Sequence, residues 1–233
     1  RYPAAMCGRY ALFGPYSRHD PTWVAAWMEQ LVTATHGESR YNIAPSQEVP
    51  VFVTGADGAT VRLMRWGLVP SWARDTKIAY ATINARVETV AEKPAFRGAW
   101  RARRRALVPA TGWYEWKAVG TLKQPYYVSA SDGNPQMLGA LWERWLDPQG
   151  AELHSCAIIT VPVRPELAAV HDRMPLVLAP TQWAGWLDPK LPQVPAVLEA
   201  AALPYTFTTV ARTVNSVRND GPELVRPLFG LAQ

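Results

Sequence analysis

Ala106-Leu107-Val108-Pro109-Ala110-Thr111-Gly112-Trp113-Tyr114-Glu115-Trp116-Lys117 is the stretch that decides the fold. It holds two short runs, Ala106–Val108 and Gly112–Lys117, rich in β-branched and aromatic residues. Pro109 and Gly112 forbid a long helix across it. Working outward, Tyr126–Ser129, Met137–Trp142 and Ser155–Val161 repeat the pattern, with Ser131-Asp132-Gly133-Asn134 supplying turn chemistry between two of them. Upstream, Val49–Thr54 and Val61–Trp66 flank Gly55-Ala56-Asp57-Gly58 and read as a β-hairpin. Cys7–Phe13 reads as a short opening strand. Strands this short, separated by turns rather than by helices, predict a largely antiparallel sheet.

Helices take the remaining places. Asp20-Pro21 supplies an N-cap and a first-turn proline for a helix over Thr22–Val32, on which Trp23, Trp27 and Leu31 fall at core spacing. Glu92–Arg105 has helical composition. Short helices are expected near Pro165 and Pro180 and around Ala196–Ala202. The Pro-rich segment Asp188–Pro195 is too short to separate domains. The expectation is an α+β fold: one domain over residues 7–233, with residues 1–6 a leader, a pro-segment or a misassigned start.

Composition narrows the function. The 233 residues are 48% hydrophobic, with 11 Trp and 21 Pro, ample for a core with rigid, aromatic loops. There are 24 Lys+Arg against 19 Asp+Glu, a net charge of +5, and Arg97, Arg101, Arg103, Arg104 and Arg105 form a dense run. That balance favours a polyanionic partner, or else a solvated helical face. Cys7 and Cys156 alone make neither a disulfide framework nor a zinc set, which points to a reducing cytosol and no metal. No apolar run reaches membrane-spanning length. Dinucleotide, P-loop, serine-hydrolase and zincin motifs are absent from the sequence.

Four polar residues sit in unusual strings. Cys7 follows Met6; if that bond is opened, Cys7 carries a thiol and a free α-amine, a pair that condenses with an aldehyde to a thiazolidine. The bland reading is a small buried hydrophobe. Glu115 lies among Trp113, Tyr114 and Trp116, where desolvation favours the neutral acid and suits it to general acid–base work; the alternative is an edge-strand Glu facing water. His171, beside Asp172, can shuttle a proton or serve only a local hydrogen bond. Asn84 can position an amine or a sugar hydroxyl, or cap a turn. Arg86, two residues on, shares its face on an extended segment and offers a phosphate clamp; Arg9 stands in the same relation to Cys7. The Trp66–Trp72 loop offers aromatic platforms for nucleobases, or a core plug.

These islands, in this order, resemble the SRAP (SOS response-associated peptidase) family. The likeness runs from Met6-Cys7-Gly8-Arg9-Tyr10 through Arg40–Pro45, Trp66–Trp72, Ile83–Thr89, Gly112–Trp116 and His171–Pro175 to Val214–Asn219. The resemblance implies a barrel-like sheet with a positively charged groove, and a role in the DNA damage response. In that role the resemblance implies shielding of abasic sites in single-stranded DNA by covalent attachment. It implies that Cys7 supplies amine and thiolate, Asn84 positions it, Glu115 is the acid/base for imine formation and ring opening, and His171 assists at the sugar. It places Arg9, Arg86 and Arg173 near the DNA backbone, Pro45 and Trp72 near the bases, and Thr160 in the site wall. No cofactor, metal or membrane is expected, and the protein is expected to be a cytoplasmic monomer.

Two other readings remain. One is a cysteine peptidase using Cys7, His171 and Asn84. The other is a noncatalytic single-strand-binding module.

Overall fold

The computed structural model describes residues 7–14, 22–55, 58–190 and 204–228. The expected helix at Ala196–Ala202 and the leader at 1–6 lie outside the described residues. In chain order the first elements are β1 (Tyr10–Leu12), α1 (Thr22–Thr35), β2 (Arg40–Ile43), β3 (Glu48–Gly55), β4 (Gly58–Trp66) and β5 (Asn84–Arg86). Next come α2 (Pro94–Arg101), β6 (Arg105–Ala110), β7 (Gly112–Val119), β8 (Leu122–Ala130), β9 (Gln136–Leu146) and β10 (Glu152–Pro162). The chain closes with β11 (Arg173–Pro175), β12 (Val177–Leu178), α3 (Pro180–Leu187) and β13 (Tyr205–Thr209). The α+β expectation holds, and the largely antiparallel pairing with it.

Five strands close into a barrel. The ladder runs β10-β4-β3-β6-β9 and returns to β10, with β11 and β5 added on β10 and β12 on β9. The β10–β4 and β10–β5 pairings are parallel, the others antiparallel. A second, five-stranded sheet has the order β13-β8-β7-β1-β2. Closure removes the barrel's edges. Both faces of its wall are covered: Met64 and Trp66 lie on one face, Phe52 and its cross-strand partner Leu107 on the other, and all four are fully buried. The expected hairpin at 49–66 is β3–β4, paired from Glu48–Arg65 to Gly55–Gly58. Helix α1 lies against the barrel through Trp27, whose ring stacks on Phe52 at 5.0 Å, and through buried Leu31; the Trp23 side chain is outside the described residues.

Two readings need correction. Helical structure in the 92–105 segment is confined to Pro94–Arg101: Arg103 adopts a left-handed φ of 55°, which halts it, and Arg105 opens β6. The arginine run is therefore not one basic face. Arg97, Arg101 and Arg103 are exposed, but Arg104 pairs with buried Glu143, and Arg105 is buried against the Asp188 carbonyl and the Trp186 ring.

Candidate active site

The site forms where β1 and β7 lie side by side. Tyr10 pairs with Trp113, and the Tyr114 N–H donates to the Arg9 carbonyl, so the start of the chain is drawn along the Gly112–Trp116 strand. On the other side of the strand Gly112 lets β7 lie close against β8: a Cβ there would sit 2.4 Å from the Val128 carbonyl oxygen and 2.5 Å from the Tyr127 ring. Its requirement is space rather than an unusual φ. Strand β7 lies between β1 and β8, so Glu115 is on an interior strand and only 3% exposed. The edge-strand reading of Glu115 fails for that reason.

The Cys7 backbone N–H donates to Glu115 Oε1 at 2.9 Å. Burial raises the Glu115 pKa to about 8; the Cys7 hydrogen bond opposes the rise and the Asp172 charge adds to it. A carboxyl so placed can give or take a proton near neutral pH. The Cys7 thiol is fully buried, and burial followed by the Glu115 charge pushes its pKa well up. The sulfur therefore rests as a thiol. Cys7 itself has φ 45°, a left-handed conformation unusual for a residue with a side chain.

Glu115 and His171 line one small cleft, partly open to solvent and walled by Trp113, Leu167 and Met174. His171 Nδ1 lies 3.0 Å from the Arg173 N–H and 2.9 Å from Asp172 Oδ1. A backbone N–H can only donate, so Nδ1 accepts and the ring proton resides on Nε2. Burial lowers the His171 pKa more than Asp172 raises it. The neutral ring then offers one donor, Nε2–H.

Strand β10 brings the other expected residues together. Asn84 and Arg86 register opposite Ile158 and Thr160 in the parallel pairing, while Thr160 faces Pro175 and Pro162 faces Arg173 in the antiparallel one. Asn84 and Arg86 flank buried Ala85 and share a face, as their spacing predicts. Thr160 is fully buried. Arg173 is buried too: it forms a two-pronged pair with Glu88, and its Nη2 donates to the Thr160 carbonyl at 2.7 Å. This pairing holds the Glu88 carboxyl below its ordinary pKa. Arg9 donates to Asn42 Oδ1 at 2.7 Å and to the Val214 carbonyl at 2.8 Å. Asn42 in turn donates to the Ser216 and Asn219 carbonyls.

Sequence reasoning missed Glu88 and Asn42 as partners. Both lie in quoted islands, but nothing local marks a carboxylate as the mate of an arginine 85 positions away.

A family model for SOS response-associated peptidases (SRAP) matches residues 6–217. The chain belongs to this family. Among SRAP relatives, the abasic site processing protein YoqW of Bacillus subtilis is 36% identical, aligned over 94% of this chain and 99% of its own. YedK of Escherichia coli, also named an abasic site processing protein, is 29% identical over 96% and 100%. A solved Bacteroides thetaiotaomicron protein superposes with a TM-score of 0.80 at 25% identity, covering 96% of this chain and 100% of that one. The SRAP fold described above is thus shared across distant sequences.

The expected base-side residues lie apart from the Glu115 cleft along the chain. Pro45 follows β2 in a turn tied to the barrel by the Ser46 N–H donating to the Trp66 carbonyl. Trp72 is 59% exposed, and its indole N–H donates to the Pro94 carbonyl at 3.2 Å. Trp66 is 1% exposed in the barrel core. Of the two tryptophans, Trp66 is a core plug and Trp72 stands at the surface.

Among the described residues no group of three or more His, Cys, Asp or Glu could hold a metal ion. No described helix is long and apolar enough to cross a membrane.

Proposed function

We propose that this chain processes abasic sites in DNA, capturing the lesion's aldehyde on Cys7 as a thiazolidine. The observation that carries the reading is the Cys7 nitrogen held 2.9 Å from a carboxyl whose pKa lies at about 8. Its relatives' names as abasic site processing proteins support the same substrate.

The chemistry runs on this chain's own groups. Glu115 takes a proton from the Cys7 α-ammonium, and the amine adds to the aldehyde carbon. Protonated Glu115 returns that proton to the departing hydroxyl, so water leaves and an imine forms. The thiol then adds across C=N: sulfur bonds to carbon and its proton passes to nitrogen. The sum is aldehyde, amine and thiol giving thiazolidine and one water. The His171 Nε2–H is the donor for the sugar oxygen during ring opening. Arg9 and Arg86 face phosphates, Pro45 and Trp72 the bases, and Asn84 and Thr160 the wall around Cys7, while buried Arg173 braces that wall through Glu88.

The amine must be free. In a residue 6–7 peptide bond the nitrogen lone pair is delocalised into the carbonyl and does not attack. Incubating an abasic single-stranded oligonucleotide with a chain beginning at Cys7, then measuring intact mass, tests the reading. The expected product is the summed mass less one water, absent from Cys7→Ala. An equal adduct with residues 1–6 attached would overturn it. A general peptidase needs a thiolate beside an imidazolium; here burial favours thiol and neutral imidazole instead.

A further inference from the structure

The hairpin that carries Glu115 continues past the site. Trp113, Glu115, Lys117 and Val119 stand opposite Val128, Tyr126, Gln124 and Leu122, successive rungs on one face of β7–β8. The inner rungs belong to the cleft, which Trp113, Glu115 and Val128 line. The outer rungs leave the sheet. Strand β1 pairs with β7 only at Gly112 and Trp113, and β13 reaches β8 no further than Tyr126. Two anchors fix the base of the projecting part. Trp116 Nε1 donates to Asn215 Oδ1 at 2.8 Å, and Gln124 Nε2 donates to the Val210 carbonyl at 2.8 Å.

Beyond those anchors residues 117–123 are all exposed, a two-stranded arm whose tip lies about 13 Å from Glu115 at strand rise. At the tip Val119 and Leu122 form a directly opposed pair, 54% and 51% exposed. Lys117 and Lys123 flank them, with no acidic residue in the arm and no ion pair to either lysine among the described residues. An isolated ribbon with aliphatic side chains at its end is poorly placed for stability alone. Apolar wedges borne on a cationic element are a recurrent device for entering base steps, where the cations hold phosphates and the wedge unstacks neighbours.

The geometry points to the β7–β8 arm as a second nucleic-acid contact, its Val119/Leu122 tip inserting at a base step of the strand that flanks the captured abasic site. This rests on the proposed abasic-site reading and adds to it a surface that bends or opens the DNA beside the lesion.

The test uses chains beginning at Cys7 and single-stranded oligonucleotides bearing 2-aminopurine at successive positions on either side of the lesion, with undamaged controls. Wild type is expected to raise 2-aminopurine fluorescence at one flanking position. Val119→Ser/Leu122→Ser should abolish that rise and weaken reversible binding roughly 10-fold, the scale of re-exposing about half of two aliphatic side chains. Lys117→Gln/Lys123→Gln should instead lower the salt slope of binding by about 0.7 for each phosphate that is no longer neutralised. Unchanged fluorescence and binding in both double variants overturn the arm's role, even where the covalent adduct forms normally. A change in oligomeric state in the Ser variant with DNA binding intact overturns it equally, by assigning the tip to a second copy. Loss of the mass adduct in wild type would strike the abasic-site reading instead, while fluorescence on undamaged strands still reports on the arm.

Discussion

Glu115 is held between two demands: it must be dry enough to keep its proton near neutrality and close enough to reach the Cys7 nitrogen. Its folded pKa of about 8 lies above the ordinary carboxyl value of 4.5. The folded state therefore binds the proton more tightly than the unfolded chain. That contribution is full at low pH and is lost as pH rises through the window from 4.5 to about 8. We expect thermal melts of wild type to fall across this window more steeply than those of Glu115→Gln, which cannot ionise. Equal slopes would mean that the carboxyl is solvated. In adduct assays the same variant should be slower by roughly 10²- to 10⁴-fold, the usual worth of a positioned acid/base. Gln136 presents the opposite case. It is 4% exposed on β9, with neither amide atom hydrogen-bonded among the described residues. Gln136→Met should stabilise the protein by about 1–3 kcal/mol in chemical denaturation, since it removes an uncompensated buried amide.

At the scale of elements, Gly112 is the hinge of the design. Adding a methyl group there would push it into the backbone and ring of β8, so Gly112→Ala should cost about 1–3 kcal/mol, read as a lower denaturation midpoint. Because β7 would shift against β1, the adduct rate should drop as well; Gly98→Ala, whose Cβ on α2 meets only a Glu143 carboxylate oxygen at 3.9 Å, should leave the rate alone. The individual strands were legible because alternation and turn chemistry are local: β3–β4 and β7 lie where Val49–Trp66 and Gly112–Lys117 place them. Closure was legible only through the family resemblance, not from the strands themselves. It depends on Cys156 and Trp66 meeting in parallel register, and nothing in either strand's own sequence names so distant a partner. The arginine run misled for a related reason. A left-handed residue at Arg103 ends the helix and turns Arg104 and Arg105 inward, toward Glu143 and Asp188, partners remote in sequence.

For the whole molecule, the net charge of +5 gives a diffuse attraction to nucleic acid, and exposed residues decide how much of it becomes contact. Arg86 is exposed, so Arg86→Ala should reduce the salt slope of single-strand binding by about 0.7, while Trp72→Ala weakens binding with the slope unchanged, because stacking releases no counterions. Identical slopes in wild type and Arg86→Ala would remove Arg86 from the phosphate set. Arg173 was legible as a cation but not as a buried one. Its pairing with Glu88 fixes the β11 wall, a role seen only once β5 and β11 are laid on the two sides of β10.

The bond between Cys7 and Glu115 spans 108 positions, and the one from Arg9 to Val214 spans 205. At ribosomal speeds of about 5–20 residues per second, the cysteine emerges some 5–20 seconds before its carboxyl partner is even made, and the turn that holds Arg9 comes later still. If Cys7 is the nucleophile proposed above, a nascent chain thus carries it without the carboxyl that would activate it. On the proposed reading, aldehydes meeting the unfinished protein find no poised proton relay, and the site is complete only after Val214 has been made and has closed on Arg9.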